Sequence, residues 1–569
     1  MSNNNHKCTH PVRVGGLCCL CGAKAPDPEP SDDQYSNQYN TNNGSNKTGS
    51  NDSFVKSQNL TVGGGYTIQV TASEASLHSS RQRTRLRSLR KLSLILDLDH
   101  TLVHCVDHEG AGVFCKDERM EGSVRNFLLP AEHANLEKGV GSGDSLFYKL
   151  FGFSDPHLCR RHYLKLRPSL RTFINSVSQK YELTIYTAGT RYYALKVAHA
   201  VCRYMVGAPD VDVFTECDMS ELEKKAVDLN RELFGNRIIS RSDTGDLGKD
   251  VKSLKRVFPD GGKMSVMVDD REDVWANAKD NDSLMRGREG EPPLNLLYIR
   301  PYHFEEFKNF KDVNNVSGAD LTKGGSSPSV LDDDKGLLWT ADILARVWAR
   351  YYENVDRVTA VREVEKGRGV VATTEQDEEC LEHVPTILQK IRSAVLPPHT
   401  RMVFSGLISL QEQRVYKARV MGGVNLPRHP VARYAEDMGA EVEDFVDKGI
   451  THVVAKRGET EKCKEGGQIV GCAVVSINWL MDCFWSLTLK DVTPYLLAPV
   501  KEARGVEGGK AAVAPSPGLG KRKRTNEEEE KGGRGNERNG GEGNDGNEKE
   551  EEEDDEDDDG FADELMDEL

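Results

Sequence analysis

The clearest pattern in the chain is an apolar run, Leu92, Leu94, Ile95, Leu96 and Leu98, that passes directly into acidic residues. A short apolar run of this kind predicts a strand buried on both faces. From there to about residue 355, strand-like and helical patterns alternate. YELTIYTAG at 181–189 and MSVMVDD at 264–270 read as strands, and YYALKVAHAVCRYM at 192–205 reads as a helix. LLWTADILARVWARYY at 337–352 has helical spacing at Leu337, Ile343, Leu344, Val347 and Tyr351. Strands separated by helices predict a parallel α/β sheet with helices on both faces.

A smaller α/β unit is predicted at 399–498. It has strands in MVFSGL at 402–407 and THVVA at 451–455, a helix in VARYAEDMGA that closes at Gly439, and a last helix, SINWLMDCFWS, around Trp479. Patterning elsewhere is weak. Residues 26–90 read as mostly disordered, with a basic end at 81–91. Residues 356–398 read as a charged linker and a helix, and 499–569 as a disordered acidic tail.

Composition agrees with a chain that is only partly folded: of 569 residues, 37% are apolar and 29% charged. The net charge of −16 comes from the tail, because residues 527–569 alone carry 22 acidic and 4 basic side chains. The remainder is near neutral, so the acidic balance does not argue against anionic substrates. No run approaches the ~18 apolar residues of a membrane span, and the N-terminus has no signal-peptide core. The reading is neither integral membrane nor secreted. The 13 cysteines are an odd number, scattered apart from a cluster at 8–21. They suit a reducing compartment with free thiols.

The strongest chemical signal is LSLILDLDHTLVH at 92–104. Asp97 and Asp99 follow the apolar strand directly, and the C-terminal edge of a parallel sheet is where α/β proteins build sites. Two gathered carboxylates favour a hard cation such as Mg²⁺. An Asp-x-Asp pair also caps strands and opens turns, but the strand before this one and Thr-Leu-Val after it set it apart. Asp-x-Asp-x-Thr after an apolar strand resembles the first motif of the haloacid-dehalogenase superfamily of phosphotransferases. Further motifs follow in that superfamily's order: Thr187 at a strand end, Lys252 in VKSLKRVFP with Lys249 as competitor, and Asp269-Asp270 in VMVDDREDVW. KLRPSLRTFI at 165–174, IYTAGTRYYA at 185–194 and DDREDVW at 269–275 narrow the likeness. They resemble the RNA polymerase II C-terminal-domain phosphatases that associate with transcription factor IIF.

That resemblance implies a Mg²⁺-dependent protein-serine/threonine phosphatase over 91–355. Asp97 would be the nucleophile and Asp99 the general acid/base. Asp97, the Asp99 carbonyl and Asp270 would hold Mg²⁺, with Asp269 in support. Thr187 and Lys252 would bind phosphoryl oxygens, and Arg167 of the Leu-Arg-Pro element would add a phosphate contact. The family often has Asp directly after a Ser-Arg pair; here Ser240-Arg241 is followed by Ser242 and then Asp243.

The unit at 399–498 resembles a BRCT domain, in which Trp479 fills the core. Ser405, with Lys462 or Lys464, matches the phosphate pair of phosphopeptide-binding members. Cys8, His10, Cys18 and Cys21 offer four ligands to a tetrahedral Zn²⁺ within residues 1–25, with Cys19 as a competing ligand. KRKR at 521–524 reads as a nuclear localisation patch. Phe561, Leu565 and Leu569 make one apolar stripe on an acidic terminal helix. The resemblance implies that this helix docks on the large subunit of transcription factor IIF, and that the substrate is the phosphorylated polymerase tail. No basic-aromatic surface points to sequence-specific nucleic-acid binding. Two other readings stay open: a phosphatase of nucleic-acid ends or small esters on the same core, and a non-catalytic phosphoprotein scaffold.

Overall fold

The structure is a computed structural model that describes residues 8, 10–24, 57–62, 66–130, 159–210, 221–245, 247, 250–278, 288–313, 332–367, 380–421 and 426–501. Strands β1 (Val12–Val14), β2 (Leu17–Cys18), β3 (Ser57–Val62) and β4 (Tyr66–Thr71) form an antiparallel sheet in the order β2-β1-β4-β3. Helix α1 (Ala72–Ser88) follows, capped by the Thr71 hydroxyl, which accepts the Glu74 N–H. Within 26–90, where the sequence reads as mostly disordered, residues 57–62 and 66–88 are strands and a helix, and 26–56 and 63–65 lie outside the described residues. The face that α1 buries consists of Ala75, Ser79 and Leu86, too small and polar to register as an apolar stripe. Ion pairs hold its other side: Arg85 reaches Glu182 at 2.7 Å, and Arg83 pairs with Asp260.

Strand β5 (Leu92–Leu96) is the centre of the main sheet, and all five of its residues are buried. With β9 (Tyr181–Tyr186), β10 (Ile238–Ile239), β11 (Ser265–Asp269) and β12 (Leu296–Tyr298), it makes a parallel sheet in the order β10-β9-β5-β11-β12. Burial on both faces explains why β5 and β11 are mostly apolar, while β9 keeps Glu182 at a partly exposed position. The C-terminal ends of these three neighbouring strands therefore lie side by side. Between β5 and β9 the chain makes a second antiparallel sheet of β6 (Val103–Val106), β8 (Cys159–Leu166) and β7 (Val124–Pro130), with β8 in the middle.

The helices of this body are α2 (Leu170–Lys180), α3 (Arg191–Met205), α4 (Glu221–Leu233), the single turn α5 (Asp273–Ala276) and the long α6 (Gly336–Gly367). All five periodic residues of 337–352 are buried. The helix nevertheless runs twelve residues past the expected boundary at 355, which corrects the linker reading of 356–367. Beyond Asp356 it loses its apolar stripe but keeps its helical bonds.

After α7 (Val384–Arg392), the second unit has a parallel sheet in the order β14-β13-β15-β16: β13 (Arg401–Ser405), β14 (Glu441–Glu443), β15 (His452–Ala455) and β16 (Ala473–Ser476). Its helices are α8 (Leu410–Met421), α9 (Pro430–Asp437), α10 (Glu461–Gly466) and α11 (Ile477–Ser486). Trp479 is fully buried, stacks on His452 at 4.7 Å and donates its indole N–H to the Lys490 carbonyl. Gly439 follows α9 at φ +101°, and a Cβ there would lie 2.8 Å from the Ser393 carbonyl oxygen, so only glycine fits.

This unit packs on the first, within one compact body that ends at Lys501. Arg428 grips both carboxylate oxygens of Glu291 at 2.8 Å. Tyr434 stacks on Tyr298, and Arg392 of the preceding α7 donates to the Leu294 carbonyl at 2.8 Å. Among the described residues no helix is long and apolar enough to cross a membrane.

Candidate active site

Three adjacent strand ends build the site. Asp97 follows β5, Asp269 closes β11 with Asp270 beyond it, and Thr187 follows β9. Asp97 N–H donates to the Val268 carbonyl, and Thr187 N–H donates to that of Ile239, so both residues are fixed by the sheet ladder itself. Lys252 arrives from a loop whose backbone is held at two successive residues. Its N–H donates to the Val274 carbonyl at 2.7 Å, and the Ser253 N–H donates to the Tyr186 hydroxyl at 3.2 Å. The Lys252 ammonium then bridges Asp97 Oδ1 at 2.5 Å and Asp269 Oδ2 at 2.6 Å, with all three side chains buried.

One lysine does not balance this site. Asp97, Asp269 and Asp270 each offer an oxygen within 4.8 Å of the others. Burial pushes the Asp97 carboxyl well above the usual carboxylate range, against the pull of Lys252 and with reinforcement from Asp269 and Asp270. Burial likewise pushes Asp270 up to about 6, against His100 and with Asp269. Burial alone would lower Lys252; Asp269 and Asp97 more than offset it and hold the ammonium protonated. The excess negative charge and the all-oxygen donor set fit a hard divalent cation.

Several partners position these groups. The Tyr193 hydroxyl donates to Asp99 Oδ1. The Thr101 hydroxyl donates to Asp270 at 3.2 Å, and the Trp275 indole N–H donates to Asp269 Oδ2 at 2.9 Å. Thr187 Oγ1 accepts the Gly189 N–H at 3.0 Å, which fixes its rotamer. Tyr193 and Trp275 stand inside the quoted IYTAGTRYYA and DDREDVW segments, but spacing alone could not show which carboxylate each would reach.

Arg167 requires a correction. Its side chain is fully buried and its donors are engaged: Asp334 in a two-point pair at 2.7 and 3.1 Å, and the carbonyls of Thr101 at 3.0 Å, Arg300 at 2.9 Å and His100 at 3.3 Å. It ties the Asp-x-Asp-x-Thr turn from behind and presents no fork to a phosphate. Asp243, one place later than the family pattern, accepts from Arg191 at 2.7 Å and from the Ser240 backbone and hydroxyl.

His100, His104, His303 and Asp312 cluster beside the site. There His104 Nδ1 accepts the Phe304 N–H, so its Nε2 carries the proton donated to Asp312 at 2.7 Å. That bonding is structural. In the second unit, the Ser405 and Thr460 hydroxyls are 2.7 Å apart, and Lys462 donates to the Phe404 carbonyl at 3.1 Å. Near the N-terminus, Cys8, His10, Cys18 and Cys21 converge, and Cys19 stays outside the group. Lys249, residues 521–524 and the terminal stripe of Phe561, Leu565 and Leu569 lie outside the described residues.

Two segments of the chain match known protein families. Residues 92–208 match the NLI interacting factor-like phosphatase family, and 422–484 match the BRCA1 C-terminus (BRCT) domain. The chain joins a phosphatase domain of this family to a BRCT domain. It is 26% identical to an RNA polymerase II C-terminal domain phosphatase of Schizosaccharomyces pombe, over 86% of this chain and 67% of that one. The Caenorhabditis elegans protein of the same name is 26% identical over 71% of this chain, but this chain spans only 45% of that relative's length. The solved structure of Fcp1, an essential RNA polymerase II CTD phosphatase, aligns at TM-score 0.49 and 25% identity, covering 74% of this chain and 99% of that one.

Proposed function

We propose that the protein is a Mg²⁺-dependent phosphatase of phosphoserine and phosphothreonine in the heptad-repeat C-terminal domain of RNA polymerase II. The observation that carries the reading is the buried Lys252 ammonium bridging Asp97 and Asp269, in a domain of a phosphatase family. The names of the S. pombe and C. elegans relatives supply the substrate.

Asp97 attacks phosphorus in line with the serine oxygen, forming an aspartyl-phosphate, while Asp99 gives its proton to the departing oxygen. Asp99 then takes a proton from the water that attacks this intermediate, which regenerates Asp97 and releases phosphate. Lys252 and the Thr187 hydroxyl bind phosphoryl oxygens through both steps. Asp97, Asp270 and the Asp99 carbonyl would hold Mg²⁺, with Asp269 steadying Lys252. When bound, the ion supplies the charge neutralisation that brings two anions together. Arg167 acts by holding the turn that carries Asp99.

In the BRCT domain, Ser405, with Lys462 or Lys464, would take a phosphate on the same substrate chain. Phe561, Leu565 and Leu569 would dock on the large subunit of transcription factor IIF, and KRKR at 521–524 would direct the protein to the nucleus. The decisive experiment is phosphate release from a phosphorylated heptad peptide. Release should need Mg²⁺ and vanish in Asp97→Asn. Turnover of small esters but not of the peptide would move the substrate assignment, and no turnover of either would end the catalytic reading.

A further inference from the structure

The N-terminal hairpin is ordered without the means to order itself. Strands β1 and β2 hold three and two residues, and Val14, Leu17 and Leu20 are 47%, 51% and 73% exposed. The sheet's apolar core is Leu60, Val70 and Ala75, with Val12 and Ile68 partly buried against it. Hairpins of this size are marginal alone, and small cores need a covalent or metal staple. No disulfide supplies one among the described residues: Cys8, Cys18, Cys19 and Cys21 are all free.

Four side chains converge at this hairpin. Cys8 Sγ lies 3.8 Å from Cys18 Sγ, Cys21 Sγ lies 3.4 Å from His10 Nδ1, and all four donor atoms fall within 4.8 Å of one another. A tetrahedron with Zn–S of about 2.3 Å and Zn–N of about 2.05 Å puts paired sulfurs about 3.8 Å apart and sulfur about 3.5 Å from nitrogen. The two spacings match. The Leu20 N–H also points at Cys18 Sγ at 3.4 Å, a donor that steadies a thiolate. Three sulfurs and one imidazole suit Zn²⁺ over the hard cations that the aspartates favour.

The sheet held this way abuts the active-site loops. Strand β1 pairs with β4 through Val12–Val70 and Arg13–Gln69, and the Thr71 N–H donates to the Pro11 carbonyl. From β4, the Thr67 hydroxyl donates to the Asp243 carbonyl at 3.1 Å. Strand β3 packs on the 254–256 turn, two residues beyond Lys252.

We propose that Cys8, His10, Cys18 and Cys21 bind one structural Zn²⁺, and that this clasp keeps the β1–β4 sheet braced against the Asp243 turn and the Lys252 loop. The metal half stands alone; the consequence for turnover rests on the phosphatase reading above.

The test uses the full-length chain with Mg²⁺ in excess. Elemental analysis should find one zinc per chain, lost in Cys18→Ser/Cys21→Ser. Amide exchange in that variant should quicken at 240–257 while β5 and β11 stay protected, and kcat should fall about tenfold with KM little changed. A wild-type chain purified without zinc, and unable to take it up, overturns the metal site. Loss of zinc with unchanged exchange at 240–257 overturns the brace. Should the double variant unfold globally, Thr67→Val keeps all four ligands. It should retain zinc yet exchange faster at 240–245, and unchanged exchange there also overturns the brace. Zinc content and exchange need no turnover, so an inactive wild type would count against the phosphatase reading alone.

Discussion

The Tyr434 hydroxyl of the BRCT domain donates a 2.7 Å hydrogen bond to Glu272 Oε2 of the phosphatase domain. Arg433 pairs with the same oxygen. Glu272 stands at the N-terminus of α5, and α5 carries Trp275, whose indole holds Asp269. Two contacts in series, joined by the single turn of α5, therefore run from the second domain to the carboxylate that orients Lys252. Glu272→Ala leaves the buried Arg433 without this counter-charge, which should cost about 3 kcal/mol in denaturant unfolding. It should also lower kcat more than KM. Full kcat in the variant would show that the seam is purely structural.

Lys252→Met removes the ammonium set between Asp97 and Asp269 while keeping much of the bulk. Without it the carboxylates repel, and the phosphoryl group loses a fixed donor in a water-poor site. The expected loss in kcat is about 10²–10³-fold, measured in single turnover. Lys252→Arg should not restore it, because a planar fork cannot place one donor between two carboxylates in the same space.

The sites and the main sheet were legible for one reason. Strands β5 and β11 are buried on both faces and are mostly apolar, β9 alternates with Glu182 and Thr184, and each of the three runs into the residue type that does chemistry. What stayed hidden depends on distant partners. Nothing around Arg167 announces that Asp334 and three carbonyls consume its guanidinium. Helix α1 escaped because it packs through Ala75 and Ser79 and is tied down by Arg83 and Arg85 to residues far along the chain. The grip of Tyr434 on Glu272 joins two domains whose patterns are independent.

The raised carboxyl of Asp270 sets a pH dependence with a definite sign. Its folded-state pKa of about 6 lies above the unfolded value, so the metal-free fold loses stability from this group as pH rises from the usual carboxylate range through about 6. A divalent cation needs the ionised form, so protons compete with it. Apparent Mg²⁺ affinity should fall steadily as pH drops below about 6, and excess Mg²⁺ should shift the acid limb of activity to lower pH. Melting temperatures with and without Mg²⁺ should diverge as pH rises through that window. An affinity that stays constant from acid to neutral pH would rule out Asp270 as a ligand.

Arg167 separates two roles by their signatures. A phosphate-contacting arginine would, on truncation, raise KM and leave the fold untouched. Here the side chain is fully buried and bonded to Asp334 and the carbonyls of Thr101, Arg300 and His100. Arg167→Ala should therefore strand those acceptors, destabilise the protein by about 3 kcal/mol and loosen the turn that carries Asp99. Arg167→Lys should recover little, since one ammonium cannot reach four acceptors spread around a planar fork. Asp334→Asn should mimic the defect more mildly, because a carbonyl oxygen still accepts from Nε. If Arg167→Ala melts with the wild type and changes only KM, the guanidinium meets the substrate in a state other than this one.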